Sequence, residues 1–275
     1  MASSDTSSRR QLPVVSFFAL VFAWSWVWWW MAATIGVAVT EPPGLLLYLL
    51  GVFGPFVGAA WVVHHGGSGY RREFLRRIWD PRGLATRWWL ALLAVAAGPA
   101  ALAAVGTSVM GRAGASPGLS AGAVAALAGP ALVAGLVEEP GWRGAVSDAW
   151  QARTRPVFAA TGIGALWSLW HLPLSFFEGS YYYELEFASE RFWLTHLMLV
   201  PLGILLVWLV NGSGGRILLA VLAHAGFNVA IGLAPNGIAR DVLVFLALTA
   251  ATSAIIIMTR GRLCFLGPAR GLMPD

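Results

Sequence analysis

Three pairs of polar residues stand four apart in otherwise apolar stretches: Glu139 with Arg143, Trp167 with His171, and His224 with Asn228. Residues four apart on an α-helix share a face, so three helices can each aim one face at a common point. A fourth group, Glu138, lies beside Glu139 but about 100° around the helix. The two carboxylates can therefore have different tasks. Glu139 can pair with Arg143, leaving Glu138 to face a cavity. Pro140 lacks an N–H and cannot bond the carbonyl of Leu136, so the helix is locally irregular there. Such backbone is tolerated at membrane depth only where it is buried in protein or lines a water-filled cavity. Water, a carboxylate, two histidines and an asparagine are the equipment of hydrolysis. Glu138, helped by His171, would deprotonate a water that attacks a peptide carbonyl, and His224 and Asn228 would donate hydrogen bonds to the oxyanion.

The elements that must position these groups are membrane helices. Hydrophobic residues are 58% of the 275 and charged residues only 11%, against roughly 25% charged in a soluble domain. Eight apolar runs are each close to the roughly 20 residues a spanning helix needs: about 12–39, 44–63, 88–110, 119–139, 156–177, 192–210, 217–233 and 242–258. They are continuous rather than alternating, which excludes membrane β-strands. The expected fold is all-α, a polytopic membrane bundle of about eight transmembrane helices. It forms a single domain over 11–259 with a catalytic core at 119–233 and polar cytoplasmic tails at 1–10 and 260–275. A pair of acids inside such a bundle costs about 2.5–3.5 kcal/mol for each group near the bilayer centre, which marks Glu138 and Glu139 as functional.

The net charge of +5 does not signal nucleic acid, because the 18 basic residues, all arginine, sit mainly in short connections. Fifteen lie on one side of the eight runs, and only Arg112, Arg191 and Arg240 on the other. That split puts both termini in the cytoplasm and Glu138, Glu139 and Arg143 in the cytoplasmic half. The Ala/Gly/Arg/Trp richness suggests a GC-rich bacterium, and so the inner membrane. The arginine-rich stretch 71–87 reads as an orienting loop that can touch anionic lipid heads. The lone Cys264 carries no disulfide information. Other candidates have plainer readings. Trp24, Trp26 and Trp28–Trp30 suit an interfacial belt and helix packing, Tyr181–Tyr183 an interfacial anchor, and His64, His65 and His196 interfacial or packing positions.

Glu138-Glu139-x-x-x-Arg143, Trp167-x-x-x-His171 and His224-x-x-x-Asn228, in this order on successive spans, resemble the three motifs of the CPBP family. That family comprises CAAX prenyl endopeptidases and bacteriocin-processing or immunity (Abi) membrane proteins. The resemblance covers about 119–233 and implies Glu138, His171, His224 and Asn228 as the catalytic set. Glu139 and Arg143 support them, and Trp167 stands where the motif usually has Phe. It implies an intramembrane endopeptidase for a membrane-associated, possibly lipidated protein or peptide, working amid membrane lipid and without a cofactor. The rival is a zinc site of Glu138, His171 and His224. A non-catalytic immunity or scaffold protein and a transporter remain alternatives, although transporters often show repeat symmetry that the two halves here lack. One geometric demand follows. His171 lies roughly 22 Å along its helix from Pro156, and His224 only roughly 10–12 Å from the start of its own. A cytoplasmic extension around Arg153–Ala160 is expected to bring them to one depth, with their side chains within about 12 Å.

Overall fold

A computed structural model of the chain describes residues 13–118 and 120–264. Most of the two polar tails expected from the sequence lies outside them. The described residues form eleven α-helices with no strand between them: α1 (Pro13–Ile35), α2 (Pro42–Val52), α3 (Gly54–His65), α4 (Gly67–Trp79), α5 (Thr86–Val109), α6 (Ala121–Glu139), α7 (Val146–Gln151), α8 (Pro156–Trp170), α9 (Glu190–Gly212), α10 (Ile217–Leu233) and α11 (Ile238–Thr259). Among the described residues, seven helical stretches are long and apolar enough to cross a membrane. The shorter apolar α10 accompanies them. The protein is a polytopic helical membrane bundle.

Helix starts follow local chemistry. The Ser120 and Ser189 hydroxyls accept from the backbone N–H of Ala123 and Phe192, each at 3.1 Å, and so cap α6 and α9. Prolines occupy the first turns of α2, α3 and α8, where a missing N–H costs nothing. The second apolar run is two helices, broken at Phe53 just before Gly54-Pro55. Its glycines let α1 approach closely. A Cβ on Gly51 would collide with the Trp29 indole, and one on Gly58 would meet Phe17 and Val21 at 2.7 Å.

Two sequence expectations change here. The arginine-rich stretch is largely a helix, α4, whose buried Tyr70, Phe74, Arg77 and Ile78 recur at helical spacing. A loop reading fails because the arginines mask that apolar stripe. Arg77 turns inward, donating to Gly215 O at 2.6 Å and pairing with Asp148 of α7. Second, α6 does not stop at Pro140. It passes through a π-helical turn, Pro140–Ala145, directly into α7. That turn supplies the irregular backbone expected of Pro140 without ending the helix, and all six of its residues are buried.

The chemistry-bearing helices lie at the centre. α10 packs against α6, α5 and α9, and α8 against α9. Glycines set these crossings: a Cβ on Gly135 of α6 would meet Val221 O of α10 at 2.6 Å, and one on Gly203 of α9 would meet Gly164 Cα of α8 at 3.2 Å.

Candidate active site

Glu139 is wholly buried at the end of α6. Its Oε1 accepts from Arg143 Nη1 at 3.1 Å and from His224 Nδ1 at 2.8 Å. One oxygen thus ties the π-turn to α10 and aims the His224 ring. Arg143 also lies over the Trp167 ring, 4.2 Å from its centroid, a cation–π contact in a dry setting.

Glu138 points the other way around the helix and lines the cavity. Its Oε2 accepts from Trp167 Nε1 at 2.8 Å. Trp167 therefore does more than keep an aromatic face, the role its motif position suggests. Its indole N–H holds Glu138, its ring carries Arg143, and its backbone carbonyl accepts from His171 Nδ1 at 2.8 Å. A carbonyl oxygen has no hydrogen to give, so Nδ1 of His171 carries the proton and Nε2 of the neutral ring offers a lone pair.

The His171 and His224 rings lie 5.7 and 5.3 Å from the Trp167 ring, centroid to centroid. Their separation is therefore below the 12 Å limit. The Trp167 indole stands between the two rings. Arg153–Arg155 is the turn between α7 and α8, and α8 begins at Pro156. Asn228, one turn beyond His224, lines the same cavity.

That cavity has a volume of about 770 Å³. Apolar side chains such as Leu127, Met198, Leu202 and Phe227 form much of its wall. Away from Glu138 it reaches the connections at Ala115–Pro117, Tyr181–Tyr182 and Ala234–Asn236. Two aromatic residues read from the sequence meet the cavity, and one reading changes. Trp29 takes the packing part of its reading: it is wholly buried, donates to Tyr48 O at 3.1 Å and also lines the cavity. Tyr182 is not an interfacial anchor: it lines the cavity and stacks on His171. Burial, then the charge of Glu138, pushes its phenol well above the ordinary range, so it stays protonated. No periodic signal exists in a loop to reveal such a contact. His196 is a buried packing residue, its Nδ1 at 2.9 Å from the Ser168 hydroxyl. His64 and His65 lie at the exposed end of α3, away from the cavity.

Among the described residues no three His, Cys, Asp or Glu side chains converge to hold a metal ion. Both candidate histidines already commit Nδ1, and Glu138 commits an oxygen to an indole. These bonds leave Nε2 of each ring and the second Glu138 oxygen for other work, a donor set compatible with proton transfer and with the zinc set of Glu138, His171 and His224 alike.

Residues 120–230, which carry all of these groups, match the Rce1-like family of type II CAAX prenyl endopeptidases. Over that segment the chain is similar to this family. The chain is also similar to CAAX prenyl protease 2 of Methanococcus maripaludis, 37% identical over 99 residues. That match covers 36% of this chain and 36% of the relative, so the chain spans about a third of the curated protein it matches. Within the matched segment, α6, the π-turn, α8 and α10 bring Glu138, Arg143, His171 and His224 to the Trp167 indole and Asn228 to the cavity wall, while Glu139 stands behind them, bonded to Arg143 and His224.

Proposed function

We propose that the protein is an intramembrane endopeptidase that hydrolyses a peptide bond of a membrane-associated protein or peptide, lipidated or not, with a glutamate-activated water and no metal. The observation that carries this reading is the Glu138–Trp167 hydrogen bond at 2.8 Å, with His171 and His224 packed on the same indole beside one cavity. Glu138 and the bare Nε2 of His171 take the proton of a water whose oxygen adds to the scissile carbonyl carbon. The carbonyl oxygen becomes an oxyanion. Asn228 donates to it from its amide, and His224 from Nε2 when the ring is doubly protonated, with the Glu139 carboxylate balancing the charge at Nδ1. The C–N bond then breaks, and the proton held by Glu138 or His171 passes to the leaving amine.

The matched relative's name, CAAX prenyl protease, supports a prenylated peptide as the first probe. The apolar wall of the cavity suits a substrate with a greasy segment. With the arginine-rich side in the cytoplasm, both termini are cytoplasmic and the cavity opens on the opposite, arginine-poor side. Purified protein with a prenylated CAAX-type peptide, and cells compared by peptidomics with and without Glu138→Gln, provide the test. Cleavage by the native chain that is lost in Glu138→Gln and survives chelation supports the reading. Full processing in Glu138→Gln points to a non-catalytic immunity or scaffold role, and loss on chelation points to zinc.

A further inference from the structure

The loop from 177 to 189 is built more firmly than an exposed connection needs. Ser180 donates to Leu174 O at 2.6 Å and accepts from Tyr183 N at 3.1 Å, while Val39 N donates to Glu178 O at 2.9 Å. Leu185 is buried, and Phe187 packs on Phe176 and Phe192. Of the three consecutive tyrosines, Tyr181 and Tyr183 are 49% and 42% exposed, and only Tyr182 turns inward. Its ring lies 4.6 Å from the His171 ring with the planes only 26° apart. The edge of Trp170 meets His171 at 4.7 Å and 72°.

His171 is thus fixed at Nδ1 by the Trp167 carbonyl and covered on one face by a phenol. The hydrogen bond alone still leaves the ring free to pivot about the Nδ1···O direction, moving Nε2 within the cavity that His171 and Glu138 both line. A stacked ring stops that pivot. We infer that Tyr182 is a positioning residue that clamps the His171 imidazole so that Nε2 faces the cavity, through its ring face and not its hydroxyl. This inference rests on the hydrolase reading for its purpose but not for its test.

The test uses the full chain in detergent with labelled histidine, which gives only five imidazoles to assign. Tyr182→Leu removes the stack while keeping apolar bulk, and Tyr182→Phe keeps the stack and loses the hydroxyl. The expected result is a shifted and broadened His171 ring signal in Tyr182→Leu, with His64 and His65 unmoved, and a native His171 signal in Tyr182→Phe. With a prenylated peptide as probe, kcat of Tyr182→Leu falls by about 10–10²-fold, as small misplacements of catalytic groups do, with KM nearly unchanged and Tyr182→Phe close to native. A native His171 signal in Tyr182→Leu would overturn the inference. So would a Tyr182→Phe variant as impaired as Tyr182→Leu, since the hydroxyl would then be the working part. If the native chain cleaves no peptide, the hydrolase reading fails, and the His171 signal still decides the clamp.

Discussion

At the scale of single residues, Trp167 holds the site together, because one side chain touches Glu138, Arg143, His171 and His224. Trp167→Phe keeps a ring beneath Arg143 but removes the N–H from Glu138. Its kcat is expected to fall by about 10–10²-fold, in line with loss of one oriented hydrogen bond in a dry site. Steady-state kinetics on the prenylated probe would show this, and unchanged kcat would mean that Glu138 needs no such anchor. Glu138→Gln is expected to lose about 10²–10⁴-fold, the ordinary contribution of a general base. The four-residue spacings made Glu139–Arg143, Trp167–His171 and His224–Asn228 legible, because a shared helix face follows from 3.6 residues per turn. What each polar atom reaches across helices does not follow from spacing. The Glu139 link to His224 and the indole link to Glu138 were therefore invisible in the sequence, as was Tyr182, whose loop has no periodicity.

At the scale of elements, the distance between α6 and α10 decides whether Glu139 can reach His224. That distance is set by Gly135, against which Val221 O would stand only 2.6 Å from an added Cβ. Gly135→Ala is expected to force the helices apart, destabilising the protein by about 1–3 kcal/mol and reducing activity well beyond the loss of folded protein. Thermal unfolding in detergent, paired with kinetics on the folded fraction, separates the two effects. The seven long apolar stretches and the shorter α10 were readable as the eight hydrophobic runs because a bilayer demands a minimum length. Amphipathic α4 was missed because its stripe of Tyr70, Phe74, Arg77 and Ile78 is short and contains a buried arginine. The π-turn was half visible: Pro140 announces an interrupted ladder, but nothing local says that the helix resumes at Val146.

At the scale of the whole molecule, the pair of buried Arg77 and largely buried Asp148 fastens α4 to α7. Removing one partner of such a pair leaves the other charge buried, at about 3–5 kcal/mol. Arg77→Met is therefore expected to lower the unfolding temperature sharply while leaving kcat of the surviving folded protein near native. Equal loss of kcat and stability would instead make α4 part of the working site. Sidedness is open to a separate check. With Cys264 replaced, a cysteine at Glu184 should react with an impermeant maleimide in intact cells, and one at Arg71 only after permeabilisation. The reverse pattern would overturn the orientation drawn from the arginines.

The reacting groups all stand on helices or their last turns, whereas the rim of the cavity is contributed by three connections, 115–117, 181–182 and 234–236. Such a division lets one half of the protein vary without the other. Connections tolerate exchange far better than packed helices do, so a lineage can acquire a new diet of substrates by rewriting three short loops while the inherited chemistry stays untouched.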